Sequence, residues 1–263
     1  MSAARPSVTR RVLKVHLVVV YVFLYVPIAV LVLLSFNRAG LPTVWTGFSL
    51  DWYVKLASAG PILSAAKNSI LVAVGATLIS TILGTMLAFG LERGRPSGLL
   101  EASLVAPMII PDIVMAIALL TFYTMLQATL GLVTIIVAHA VFNIAFVAAV
   151  VRARLKNFDF SLIEASADLG AGPVRTFVRV VLPQILPGVV AAALLAFTLS
   201  FDEFIIAYFT AGPGSASTTL PMQIYAMIRF GVTPEINALA TVVLGVSVFA
   251  LIVAQRLEPR AVR

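Results

Sequence analysis

The 263-residue chain has no cysteine, which removes disulfides, thiolate metal sites and thiol nucleophiles from consideration. Charge is scarce too, at 11% of residues, where a soluble domain carries roughly 25%. With 61% of residues hydrophobic and a mean hydropathy of +1.07, lipid is the solvent for most of the chain. A glycine-rich phosphate loop followed by Lys and Ser or Thr is missing, so the sequence offers no ATP site of its own. No nucleophile and base stand in a recognisable constellation, and no stretch is long enough for an external solute-capturing domain. His139 and Asn143, four residues apart on one helical face, are two ligands without a third. A helix-to-helix hydrogen bond suits them better than zinc. The expectation is therefore a non-enzyme with no metal or cofactor of its own.

What is present is a succession of apolar runs of membrane length. About 20 helical residues at 1.5 Å each cross the roughly 30 Å hydrocarbon layer. By that measure spans fall at about 16–36, 63–91, 99–125, 131–151, 186–209 and 236–255. Between Ala102 and Val151 the only formal charge is Asp112, and that run is too long for one crossing, so it is divided at Gln127–Gly131. Arg5, Arg10, Arg11 and Lys14 ahead of the first run resemble a secretory signal, but the run is long and no small-x-small site follows, so a retained anchor is expected. Segments 37–63 and 210–235 would lie outside, the first holding Trp45, Trp52 and Tyr53 at headgroup level. A short helix is expected over Leu220–Arg229, and Glu92–Gly98 reads as a short internal turn.

The net charge of +7 would suggest nucleic acid in a soluble protein. Here its distribution speaks instead of orientation. With both termini in the cytoplasm, 14 of the 18 basic residues lie inside and only Arg38, Lys55, Lys67 and Arg229 outside or at its boundary. The expected fold is all-α and polytopic, six spans in one transmembrane domain over 1–263.

One long polar segment, residues 152–187, lies between two spans. A helix is expected over Leu155–Leu169, ended by Gly170, and a second one opened by Pro173 and stopped near Pro183. Composition alone leaves open a helix lying on the membrane surface. Three acids lie within spans, Asp112 in the third and Asp202 and Glu203 in the fifth. A carboxylate in lipid costs several kcal/mol, so each should face protein or a watery path. Asp112 has two readings, a path residue or a cap for a helix restarting after Pro111. Asp202 and Glu203 also have two, a site for an ammonium-bearing solute or hydrogen bonds at a gate or subunit interface. Sequence neighbours point about 100° apart on a helix, so one of the pair, Asp202 by preference, would face a path. Tyr208, Tyr225 and Phe230 suit either interfacial anchoring or stacking on an amine. Glu101 would cap or snorkel.

Within the polar segment, Glu164-Ala165-Ser166, Gly170, Val180, Leu182 and Pro183 stand at the spacing of the EAA loop, the signature of membrane subunits of bacterial ATP-driven importers. Ser166 in place of a second alanine is the one departure. Outside the loop, Ser35-Phe36-Asn37, Pro111–Ile117, Leu155–Asp159, Phe197–Glu203 and Gly231–Ala240 resemble the second permease subunit of spermidine/putrescine-type importers. The resemblance implies the six-helix permease fold of type I importers in the bacterial inner membrane, with 152–187 as the cytoplasmic coupling loop. Glu164, Ala165, Ser166, Asp168, Gly170, Leu182 and Pro183 would then meet an ATPase. It also implies a homologous second permease forming a heterodimer, two ATP-binding subunits that hold ATP and Mg, and an external solute-binding protein. The rival reading, a carrier driven by an ion gradient with Asp112 and Asp202 as ion sites, has no use for a docking elbow.

Overall fold

A computed structural model describes residues 8–40, 44–94, 98–229 and 231–257. Almost all of them are helical, and among the described residues there is no strand beyond an isolated bridge between Asn37 and Phe48. Arg5, Arg95, Phe230 and the basic tail at Arg260 and Arg263 lie outside the described residues. The chain divides into two compact units, Met1–Leu63 with Ile224–Arg263, and Ser64–Gln223.

In the first unit α1 (Val8–Leu34) packs against α12 (Pro234–Leu257), which also meets α2 (Asp51–Ser58). The side chains of α1 are exposed along nearly its whole length, Phe23 at 77% among them. A helix apolar on every face is built for lipid or for another membrane helix. The chain leaving α1 is tied back on itself. Trp52 Nε1 donates to the Asn37 carbonyl at 2.9 Å, and the Tyr53 and Ser35 hydroxyls are 2.6 Å apart. Trp52 and Tyr53 therefore pin the segment after α1 to the end of that helix, and Trp45 is 53% exposed.

The second unit is built around α6 (Leu132–Leu155), whose buried face takes in His139, Asn143, Ala145, Val147, Ala148 and Val151. Without a hydrophobic drive in lipid, helices associate where small residues let them approach. Against α6 lies α9 (Leu182–Asp202), with Ala192 and Ala196 fully buried. On α3 (Gly60–Arg93), Gly84 marks the closest approach, since a Cβ there would stand 2.7 Å from Val147 Cγ1. The turn into α6 carries Gln127 at φ 51°, and Thr134 Oγ1 accepts the Gly131 N–H at 2.8 Å.

Two expected spans differ from single rods. The third breaks into α4 (Gly98–Ile109) and α5 (Asp112–Met125). Pro111 holds φ −56° and ψ 136° and offers no N–H, so the helix stops and restarts behind it. The fifth span starts earlier than expected and is interrupted later. Its helical run begins at Pro173 as α8 (Pro173–Thr176), continues through a π-helical turn, Phe177–Val181, and enters α9. Pro183 does not stop it, because a proline in a helix's first turn has no bond to lose, and the wider turn ahead reroutes the Leu182 N–H to Phe177 O. The run ends at Asp202 and resumes as α10 (Ile205–Thr210). Among the described residues four helical runs are long and apolar enough to cross a membrane, five if α4 and α5 make one broken span. Within α12 the described side chains end at Val248, and Pro234–Val248 is apolar. The expected external helix is present as α11 (Leu220–Ile228).

Candidate functional site: a polar elbow and a broken span

The polar segment folds as an elbow standing on the ends of the helices. Its first arm, α7 (Ser161–Asp168), opens where Asp159 Oδ1 accepts the Ser161 N–H at 3.0 Å. Gly170 closes it at φ +79°, with Gly170 N–H to Ala167 O at 2.8 Å and Ala171 N–H to Ser166 O at 3.0 Å. These are the two bonds of a Schellman turn, and the left-handed residue they require is why a glycine stands there. Gly172 and Pro173 then start the second arm, with Pro173 in the first helical position.

One side of the elbow is anchored and the other is free. Phe158, Ile163 and Val181 are buried in one cluster with Leu91, Leu104, Val151, Leu155 and Ile185, and the Phe89 and Phe177 rings meet edge-on at 5.2 Å. Ser166 Oγ lies 2.9 Å from Thr176 Oγ1, strapping the two arms together, a bond that an alanine at 166 lacks. On the free side Glu164, Ala165, Asp168, Gly170 and Pro183 are exposed, with Leu169 at 89% and Val174 at 75%. Leu182 is half-buried. Arg152, where the segment begins, bonds Glu92 Oε1 through Nε at 2.8 Å and stands 3.3 Å from Glu101 Oε1 through Nη2. That fork ties α6 to the end of α3 and the start of α4. Glu101 is thus an ion-pair partner rather than a cap or a snorkelling residue.

The acids within the spans divide. Asp112 begins α5, is exposed and makes no side-chain cap, so its carboxylate favours that helix end only through the dipole. At the break in the fifth span the two neighbours part company. Asp202 is exposed, while the Glu203 side chain is only 8% exposed and accepts the Ile206 and Ala207 N–H groups at 2.8 and 3.0 Å. Glu203 Oε2 also stands 3.2 Å from Nε2 of the fully buried His139, whose Nδ1 lies 2.8 Å from Ser200 Oγ. Asn143 Nδ2 donates to the Ala196 carbonyl at 3.2 Å, so both polar residues of α6 bond across to α9 as expected. Tyr208 is half exposed, its ring 5.4 Å from that of Phe204. Among the described residues no hydrogen bond or ion pair joins Asp112 to Asp202 or Glu203, and no metal-binding cluster occurs. Sequence reading missed His139 with Glu203, and Arg152 with both glutamates. These partners lie 51 to 64 positions apart, and only the helix spacing that paired His139 with Asn143 hinted at the first.

Membrane-length helices joined by an anchored polar elbow are the build of a membrane-spanning subunit. The chain belongs to the family described as binding-protein-dependent transport system inner membrane component, which matches residues 80–263. It is 41% identical to the putrescine transport system permease protein PotI of Escherichia coli K12, over 86% of this chain and 83% of that one. It is 37% identical to the spermidine/putrescine transport system permease protein PotC of the same strain, over 90% and 89%. In fold it resembles a chain of a bacterial ABC transporter involved in alginate import, with a TM-score of 0.75, 14% identity and 98% and 99% coverage. The MetNI methionine ABC transporter follows with a TM-score of 0.59, 21% identity and 77% and 94% coverage. The chain is an inner-membrane protein.

Proposed function

We propose that this chain is one of two non-identical permease subunits of an ATP-driven polyamine importer. The observation that carries the reading is the elbow, apolar and strapped on one side and exposed on the other, in a chain 41% identical to a putrescine permease. Six spans, counting α4 with α5 and α12 as one each, put both termini in the cytoplasm, in keeping with the basic residues. Residues 152–187 are the coupling loop, and Glu164, Ala165, Asp168 and Gly170 on its free side meet an ATP-binding subunit. Ser166 braces that surface from behind, while Leu182 and Pro183 join the second arm to the fifth span.

ATP and Mg are held by two partner subunits, and hydrolysis happens there. Because Phe158, Ile163 and Val181 share one packed cluster with the ends of α3, α4, α6 and α9, a push on the elbow moves those helices together. Alternating access is then a shift between two states biased from a remote site. An external binding protein delivers the solute. Asp202 and Asp112, exposed and without side-chain partners, offer negative charge to a polyammonium solute, whose own charge offsets their desolvation. Tyr208 adds an aromatic face.

The test is ATP hydrolysis and uptake by the complete complex in lipid, with binding protein and a panel of putrescine, spermidine, uncharged and anionic solutes. Stimulation by polyamines alone is expected. Stimulation by a different solute would remove the polyamine reading and leave the importer, whereas uptake driven by an ion gradient without ATP would remove both.

A further inference from the structure

The break in the fifth span has a device built across it. Helix α9 stops at Asp202, Glu203 takes an extended conformation at φ −71° and ψ 126°, and α10 begins two residues later. Such a break exposes peptide groups that lipid cannot satisfy. Glu203 meets part of the need by accepting the Ile206 and Ala207 N–H groups. His139 touches no peptide group there and instead joins side chains on either side of the break. Its imidazole is completely buried on α6 and reaches both sides of the interruption, Ser200 on the last turn of α9 through Nδ1 and Glu203 ahead of α10 through Nε2. Nδ1 is within hydrogen-bond reach of the Ser200 hydroxyl at 2.8 Å, and Nε2 stands at ion-pair distance, 3.2 Å, from the Glu203 carboxylate. Asp202 is the exposed residue between these two points of attachment.

We propose that His139 is a positioning residue: it clasps the two halves of the broken span and thereby fixes the direction in which Asp202 is presented to a cationic solute. The clasp stands on the geometry alone, and its service to transport rests on the reading of Asp202 given above. Two ring contacts and two carboxylate contacts hold one backbone turn, so losing the ring frees residues 200–204 to straighten into one continuous helix. Straightening rotates Asp202 relative to α6. Misplacement of about 1 Å at a reacting or binding group costs up to about 100-fold in rate.

The absence of cysteine provides a direct readout of residue 202. D202C in the otherwise unaltered chain, assembled with its partners in lipid, is labelled with a small methanethiosulfonate reagent, and labelling of this chain is followed by mass. H139A is expected to change the labelling rate severalfold. H139Q, which returns an N–H where Nε2 sits, should keep the original rate, and H139N, which reaches only toward Ser200, should not. An unchanged rate in H139A overturns the clasp. Should H139A fail to assemble, equal rates in H139Q and H139N overturn it instead.

Transport is read separately, with Asp202 intact. H139A should lower maximal polyamine uptake by about 10-fold or more while the binding protein's affinity for solute is unchanged. With D202N as background, adding H139A should cost little further. Full loss on top of D202N would make His139 a packing residue and overturn the proposal. A shifted labelling rate together with normal uptake by D202N would keep the clasp and remove Asp202 from the path.

Discussion

Helices α1 and α6 are both membrane-length and apolar, yet they have opposite fates. α1 buries almost nothing and carries large residues on every face, whereas α6 buries more than half of its apolar window, mostly through alanines and three polar side chains. Hydropathy does not separate them. Residue size does, because Ala138, Ala145 and Ala148 let other backbones come close, and the branched or aromatic residues of α1 keep neighbours away. Polar groups follow the same division: His139 and Asn143 sit where partners can be reached.

The comparison breaks most readily at a small residue. Ala148→Leu on α6, fully buried, should destabilise the protein by about 1–3 kcal/mol through overpacking. Val18→Leu on α1, 59% exposed, should stay within about 0.5 kcal/mol. Thermal unfolding of the purified complex distinguishes them, and equal shifts would end the distinction between hub and outer helix. A smaller effect is expected at the foot of α6. Arg152→Ala removes a fork to Glu92 and Glu101, and because the three side chains are 22%, 17% and 48% exposed the loss should be about 1 kcal/mol. Arg152→Lys keeps the charge without the fork and should fall between the two, read in the same melts.

The smallest effect lies at Asp159, outside the spans. Hydrogen bonds from the Ser161 side chain and N–H hold its carboxyl below the ordinary carboxylate range. A depressed carboxylate contributes its capping above the unfolded value of about 3.9 and loses it as pH falls through the lower folded value. Hydrogen exchange over 159–169 should quicken slightly in that window, and Asp159→Asn should remove the pH response. A response that persists in the variant would assign it to another group.

Much of this arrangement was legible in local signals. Gly170 and Pro173 announced the elbow's turn and second arm, Gln127–Gly131 the loop into α6, and the small residues of α3 its close packing. What failed locally was the treatment of one proline. Pro183 was expected to stop a helix and instead sits in its first turn, behind a π-helical turn that no residue pattern marks. The restart behind Pro111, one of the two readings of Asp112, is where the third span divides. The opposite roles of Asp202 and Glu203 were invisible for another reason. They depend on His139, more than 60 positions earlier, and no period in a sequence carries that distance. The helical rule that neighbours diverge predicted a division, with Asp202 as the one to face a path; the structure leaves Asp202 exposed and buries Glu203.

The ties from α3 to the segment between α10 and α11 set a schedule for making the protein. Asn68 Nδ2 donates to the carbonyls of Ala216 and Thr218, and Ser69 Oγ accepts the Leu220 N–H, across separations of 148, 150 and 151 residues. At roughly 5–20 residues per second the ribosome needs about 10–30 s to supply the partners after Asn68 emerges. Through that interval a buried-type amide waits in the insertion machinery with its native acceptors unborn. That segment is therefore a late seal, closed only when most of the chain has been made, and a chain truncated before residue 216 leaves α3 without it.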